Sequence, residues 1–252
     1  MDEVLVSLTH YNRPANIPRI INAFRRQTAK VHVALVECSD YGMLPKEVLD
    51  MADSVWTLRS TAGPLACLIP GLMMPEYKYA YLACDDEEPG CRVVQYMLET
   101  ARQLRDDFAC LAQSGKILVE RKVVGSQRVA MGMLPVQVDY THGSCFIQTK
   151  FILSALKFRN TMLEDHGVAM PRFEYHMLLN FGIQLAMRSI LLTGASYLTP
   201  APKIDEWLCA SRSLQAAHAL SGRDDARKQR DQFLEMAFMS GWRSTIPREV
   251  AT

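Results

Sequence analysis

Residues 78–89 read Lys78-Tyr79-Ala80-Tyr81-Leu82-Ala83-Cys84-Asp85-Asp86-Glu87-Glu88-Pro89. Lys78 to Ala83 reads as a strand, with the apolar, aromatic-rich Tyr79-Ala80-Tyr81-Leu82-Ala83 at its heart. Four acids follow without a break. Adjacent carboxylates repel one another, so the block needs a compensating partner. It is either a solvated turn capping the helix predicted from about Arg92 to Arg105, since acids favour helix N-termini, or an oxygen-rich site at the C-terminal end of a strand, where open α/β sheets place their ligands. A divalent cation bridging to phosphate oxygens removes the repulsion, and Mg²⁺ and Mn²⁺ use carboxylates in this way.

The pattern on the N-terminal side fits a sheet of this type. Val4 to Leu8 is a short β-rich run, followed by Thr9-His10-Tyr11-Asn12-Arg13-Pro14. Ile17, Ile20, Ile21 and Phe24 repeat at helical spacing, which predicts a helix up to about Gln27. Val31 to Val36 reads as a second strand closing on Glu37-Cys38-Ser39-Asp40, and Asp53 to Leu58 as a third. Gly63-Pro64 marks a turn before a helical stretch from Leu65 to Met73. Strands thus alternate with helices through the first ~110 residues, which favours βαβ units and a mainly parallel sheet.

On the C-terminal side the pattern is mixed. Phe108 to Ala112 is strand-like, and Gly115 to Gly132 forms a hairpin or a loop. Val136 to Tyr140 and Cys145 to Gln148 read as strands around His142-Gly143-Ser144. A helix starts at Lys150, Glu164-Asp165 falls in a polar break, Phe173 to Phe181 returns to helix, and Ile183 to Thr193 reads as strand. The tail from Asp205 is helical in composition, with a charged, solvated run from Arg223 to Asp231. The expected organisation is one α/β domain over residues 1–200 and a helical C-terminal extension over 201–252.

Composition narrows the function classes. The 252 residues are 49% hydrophobic and 22% charged, an ordinary globular balance that excludes a disordered or fibrous chain. Lys and Arg number 28 against 27 Asp and Glu, so no overall basic footprint for nucleic acid exists. Local basic strips remain at Lys116, Arg121, Lys122 and Arg128, and at Arg223, Arg227, Lys228 and Arg230. No run of ~18 apolar residues predicts a membrane span, and the acidic start Met1-Asp2-Glu3 does not read as a signal peptide. Seven scattered cysteines include no C-x-x-C pair, which points to buried, reduced thiols and a cytoplasmic location.

The loops after the first two strands carry recognition chemistry. A tyrosine such as Tyr11 stacks on a base, and an arginine such as Arg13 pairs with a diphosphate. Glu37 and Asp40 accept hydrogen bonds from a base or ribose, or serve only as turn residues.

Together these segments resemble the nucleotide-diphospho-sugar glycosyltransferases of the GT-A fold, in particular the inverting, family-2-like members. Val6-Ser7-Leu8-Thr9-His10-Tyr11-Asn12-Arg13 is similar to the family signature S-x-T-x-Y-N-R, and Asp85-Asp86-Glu87 to its Asp-x-Asp metal motif, with Glu87 in place of the final Asp and Cys84 before the acids. Asp86 with Glu88 is the other register. His142-Gly143-Ser144 is similar to the segment lining the acceptor side, and Glu164-Asp165 to the Glu-Asp element that supplies the catalytic base.

The resemblance implies a single GT-A domain that moves a sugar from a nucleoside diphosphate sugar, with a UDP-sugar favoured, to an acceptor hydroxyl with inversion. Asp85 and Glu87 would hold Mn²⁺ or Mg²⁺. Thr9, Tyr11 and Arg13 would hold the nucleotide, with Glu37 or Asp40 at the base and Asp86 at ribose or sugar hydroxyls. Asp165, or its neighbour Glu164, would take the acceptor proton. The acceptor would be a glycan or lipid-linked sugar, or a hydroxymethylated DNA base. The rival classes are a non-catalytic nucleotide-sugar-binding module, which Glu87 keeps open, and a sugar nucleotidyltransferase. The absence of glycine from His10-Tyr11-Asn12-Arg13 counts against the latter.

Overall fold

A computed structural model describes residues 3–11, 13–38, 42–59, 63–119, 122–128, 134–166, 175–200, 208–209, 224–244 and 246. Its strands are β1 (Val4–Thr9), β2 (Val31–Cys38), β3 (Ser54–Leu58), β4 (Tyr79–Ala83), β5 (Glu88–Pro89), β6 (Leu111–Val119), β7 (Lys122–Arg128), β8 (Val136–Val138), β9 (Tyr140–Gln148), β10 (Ser196–Leu198) and β11 (Leu208–Cys209). Its helices are α1 (Ile17–Arg25), α2 (Lys46–Leu49), α3 (Ile69–Met73), α4 (Val93–Gln103), α5 (Ile152–His166), α6 (Tyr175–Arg188) and α7 (Asp224–Met239).

The main sheet runs β3-β2-β1-β4-β9-β6-β10-β8, with β7 paired to β6. Strands β3, β2, β1 and β4 are parallel, whereas β9 is antiparallel to both β4 and β6. A sheet covered on both faces needs strands that are apolar on both faces, and β1 meets this condition. Val4, Val6 and Leu8 pack with Ile17, Ile20 and Phe24 of α1 and Val93, Val94 and Met97 of α4. Leu5 faces the other way and packs with Ile152 and Ala155 of α5 and Leu179 and Ile183 of α6. The chain leaves β1 toward β2 and later returns to β4 on the other side, so the strand order reverses between β1 and β4. Ligands of doubly wound sheets sit at that reversal.

Three sequence expectations are corrected here. Ile183 to Thr193 is not a strand, because α6 continues through Arg188. An apolar run does not separate strand from buried helix by itself, and residues 177–184 of α6 are all buried. Polar Asn180 and Gln184, one turn apart, bond to Thr141 and to the Asp139 carbonyl on the sheet. Glu164-Asp165 does not fall in a break either, since α5 runs to His166. Met162, Leu163 and Glu164 are good helix formers, and no glycine occurs before Gly167. His142-Gly143-Ser144 does not separate two strands but lies inside β9, where an irregularity between Ala112 and Ser114 of β6 absorbs the kink.

The segment 115–132 opens with the β6–β7 hairpin. At the C-terminal side, Phe233, Leu234 and Ala237 of α7 and Trp242 share a core with Phe158 and Phe181. Cys67, Cys110 and Cys145 are buried free thiols, Cys84 is half-buried and Cys91 is exposed. Among the described residues no helix is long and apolar enough to cross a membrane.

Candidate functional site

The C-terminal ends of β1 and β4 are tied together through Asp85. Its carboxylate accepts the Tyr11 backbone N–H at 2.8 Å and the Arg13 guanidinium at 2.5 Å, and the Asn16 amide donates to its carbonyl at 2.9 Å. Asp85 is 4% exposed and Arg13 12%, so the pair is desolvated. Burial pushes the Asp85 carboxyl up to about 6, against the pull of Arg13 and the Tyr11 N–H. Arg13 also stands 3.8 Å from Asp86, and its Nε has no partner.

The two expected metal ligands, Asp85 and Glu87, stand in different surroundings. Each oxygen of Asp85 accepts one bond from the loop after β1, and the residue clamps that loop to β4. The groups that converge are Cys84 Sγ and one carboxylate oxygen each of Asp86 and Glu87, all within 4.8 Å of one another. In the alternative register, Glu88 pairs with Arg19 on α1 and with Arg26 at its C-terminal cap.

Glu87 is aimed by the acceptor-side segment. The Ser144 backbone N–H donates to Glu87 Oε2 at 2.9 Å, and Ser144 Oγ accepts the Cys84 N–H at 3.0 Å. Gly143 has φ +77, and a Cβ there would stand 2.5 Å from Glu87 Oε1. Glycine therefore permits both the backbone turn and the close approach. Burial raises the Glu87 carboxyl, with Ser144 opposing.

Two imidazoles border this cluster. The exposed ring of His142 lies parallel to that of His176, with centroids 5.8 Å apart. The ring of Tyr175, the first residue of α6, is tilted by 40° against that of His176, with centroids 3.7 Å apart, and its hydroxyl is 3.7 Å from Cys84 Sγ. Burial, and then the neighbouring His142, hold His176 well below the usual imidazole range. Its Nδ1 has no partner.

A second group of polar atoms lies at the ends of β1 and β2. Glu37 is fully buried; the Leu44 N–H donates to Oε1, while Oε2 has no partner. His10 is 1% exposed with both ring nitrogens unpartnered, and Thr9 Oγ1 is also unpartnered. Burial lowers the His10 pKa, with Glu37 opposing. Buried polar groups almost always find partners, so these are atoms that a polar ligand could satisfy.

The structure thus gathers Tyr11, Arg13, Asp85, Asp86, Glu87, Gly143 and Ser144 at the β1–β4 edge, with Thr9 and Glu37 beside them. Asp40 lies outside the described residues. Glu164 and Asp165 occupy the last turn of α5, and their side chains lie outside the description. Sequence reasoning passed over His10, Cys84, Tyr175 and His176 as site residues. Cys84 carried a signal, as a potential ligand directly preceding the acids. Tyr175 and His176 carried none, because their placement depends on where α6 begins.

By sequence the chain matches no known family and no curated protein. Among solved structures, the mannosyltransferase PcManGT from Pyrobaculum calidifontis, in complex with GDP-Man and Mn²⁺, is similar over 96% of this chain and 65% of its own, with 14% identity and a TM-score of 0.56. At that identity the likeness shows a shared α/β fold. Residues 1–349 of S. aureus TarS are similar over 79% of this chain and 58% of theirs, with 13% identity and a TM-score of 0.43. A 4-diphosphocytidyl-2C-methyl-D-erythritol synthase covers 93% of this chain, with 8% identity and a TM-score of 0.45. These two likenesses are too loose to carry an argument. The chain spans less than two thirds of the mannosyltransferase and TarS chains.

Proposed function

We propose that this protein is a GT-A-type glycosyltransferase that moves a sugar from a nucleoside diphosphate sugar to an acceptor hydroxyl with the aid of a divalent cation. The observation that carries the proposal is the meeting of the Tyr11–Arg13 loop with Cys84, Asp86 and Glu87 at the strand-order reversal. Bond cleavage leaves negative charge on the departing diphosphate. The Arg13 guanidinium, held by Asp85 with Nε unpartnered, supplies a fixed positive charge for it. Asp86 and Glu87 fit a cation as oxygen ligands, and Mn²⁺ or Mg²⁺ bound there would neutralise the diphosphate as a Lewis acid.

Glu37 Oε2 supplies an acceptor for a base N–H, which uracil and guanine both carry. A UDP-sugar and GDP-mannose, the ligand of the mannosyltransferase neighbour, are therefore the first donors to compare. Inversion requires a base on the face opposite the leaving group. Asp165 or Glu164 takes that role in this proposal, and His142 beside Gly143 is the competing group. The acceptor is a glycan, a lipid-linked sugar or a hydroxymethylated DNA base.

The test is a panel of nucleoside diphosphate sugars with Mn²⁺, Mg²⁺ or chelator, reading release of free nucleoside diphosphate. Cation-dependent hydrolysis of one donor, lost in Arg13→Ala and Glu87→Ala, is the expected result. Donor binding without turnover under any condition would make the protein a binding module. Neither binding nor hydrolysis of any donor would overturn the proposal.

A further inference from the structure

The site differs from an all-carboxylate cation site in one atom, the sulfur of Cys84. Cys84 Sγ shares one volume with an oxygen of Asp86 and an oxygen of Glu87, and all three lie within 4.8 Å of one another. Bonds to one ion run about 2.0–2.3 Å for oxygen and sulfur ligands, so small torsions of three partly buried side chains bring the atoms onto a common ion. Among the described residues no cationic side chain pairs with Glu87, whose recorded partner is the Ser144 backbone. Arg13 is committed to Asp85 and stands 3.8 Å from Asp86. A partly buried carboxylate without a counter-ion is costly, and this one points toward a thiol. The sulfur has a polar neighbour of its own, since the Tyr175 hydroxyl lies 3.7 Å away, within hydrogen-bond reach.

We propose that Cys84 ligates the divalent cation as a thiolate beside Asp86 and Glu87, so that the site selects thiophilic ions such as Zn²⁺, Co²⁺ and Cd²⁺ over Mg²⁺. The proposal rests on the cation-dependent function given above. Mg²⁺ is a hard ion that demands oxygen ligands, whereas thiolate draws softer ions into a mixed set. On binding, the Cys84 S–H bond breaks, the sulfur electron pair goes to the metal, and the proton leaves to solvent. Asp86 and Glu87 are retained as ligands, which leaves the remaining coordination positions to phosphate oxygens.

The experiment is a Co²⁺ titration of the whole chain, read by absorption and needing no turnover. A thiolate ligand produces an ultraviolet sulfur-to-cobalt charge-transfer band. The band should saturate at one equivalent, persist in Cys91→Ser, which removes an exposed thiol outside the site, and vanish in Cys84→Ser. Excess Mg²⁺ should leave it in place, and Cd²⁺ should displace it. Losing the sulfur should weaken Co²⁺ binding by about tenfold or more, since even groups supporting a ligand matter by that much. Cys84→Asp guards against a folding defect: it should bind Co²⁺ without the band and move the preference toward Mg²⁺.

Co²⁺ binding with equal affinity in wild type and Cys84→Ser, and no band in either, would overturn thiolate ligation while leaving a carboxylate cation site intact. No Co²⁺ binding would also overturn it, and the donor-hydrolysis panel then decides the glycosyltransferase proposal separately.

Discussion

Gly143→Ala tests how the acceptor-side segment aims Glu87. Gly143 has φ +77, and its added Cβ would lie 2.5 Å from Glu87 Oε1. Placing an alanine in the left-handed region costs about 1–2 kcal/mol. The carboxylate is the end of a flexible side chain and swings aside, so the steric clash itself costs little. Swinging aside breaks its bond to the Ser144 N–H, recorded at 2.9 Å. A hydrogen bond to a charged group contributes about 1.5–3 kcal/mol. The expected loss is therefore about 2.5–5 kcal/mol, as the sum of strain and hydrogen bond.

Gly42 supplies the control, because it has φ +81 and nothing within 4 Å of an added Cβ. Gly42→Ala should lose only the strain, about 1–2 kcal/mol. Urea unfolding followed by circular dichroism measures both, and Glu87→Ala closes the cycle. In the Glu87→Ala background, Gly143→Ala should fall back to the Gly42→Ala value. Equal losses for the two glycines, or an excess that survives removal of Glu87, would refute the coupling.

Three further outcomes follow from the same geometry. Arg13→Met strands a nearly buried carboxylate, so it should destabilise the fold by about 3–5 kcal/mol at neutral pH, and by less below pH about 6, where Asp85 is protonated; a pH series of denaturation midpoints reads this. His176 is held well below its ordinary value, so the unfolded chain binds a proton that the folded chain refuses. Stability from this group is complete above about pH 6.5 and is lost as pH falls below it. His176→Phe should therefore flatten the acid limb of the stability profile; Asp85, shifted upward, contributes with the opposite sign, which makes the difference between wild type and variant the quantity to measure. Trp242 is fully buried, donates to Gln184 at 2.7 Å and lies 3.9 Å from the Phe181 ring, so Trp242→Ala should cost about 3–5 kcal/mol in urea unfolding.

The parallel half of the sheet was legible because each of its strands is apolar where both faces are covered. β1 alternates Val4, Val6 and Leu8 toward one core and Leu5 toward the other, and the helix after it shows its stripe plainly at Ile17, Ile20, Ile21 and Phe24. α6 was illegible for the complementary reason. It is buried on nearly all sides, so its apolar letters have no period, and the polar pair Asn180 and Gln184 acquires meaning only from the sheet beneath it. The acidic block marked the site, but its division of labour depended on three dimensions. Asp85 is drawn inward by Arg13 and Tyr11, from a loop 72–74 residues earlier, and leaves the converging position to Cys84. No local pattern encodes that exchange.

The most direct test of the account is a crystal structure with a nucleoside diphosphate and Mn²⁺, with the ion located by anomalous scattering. The account predicts an ion peak between Cys84, Asp86 and Glu87, bridged to the diphosphate beside Arg13, with the base against Glu37. A nucleotide bound away from the β1–β4 edge, or a fully occupied nucleotide with no ion on those three residues, would contradict it.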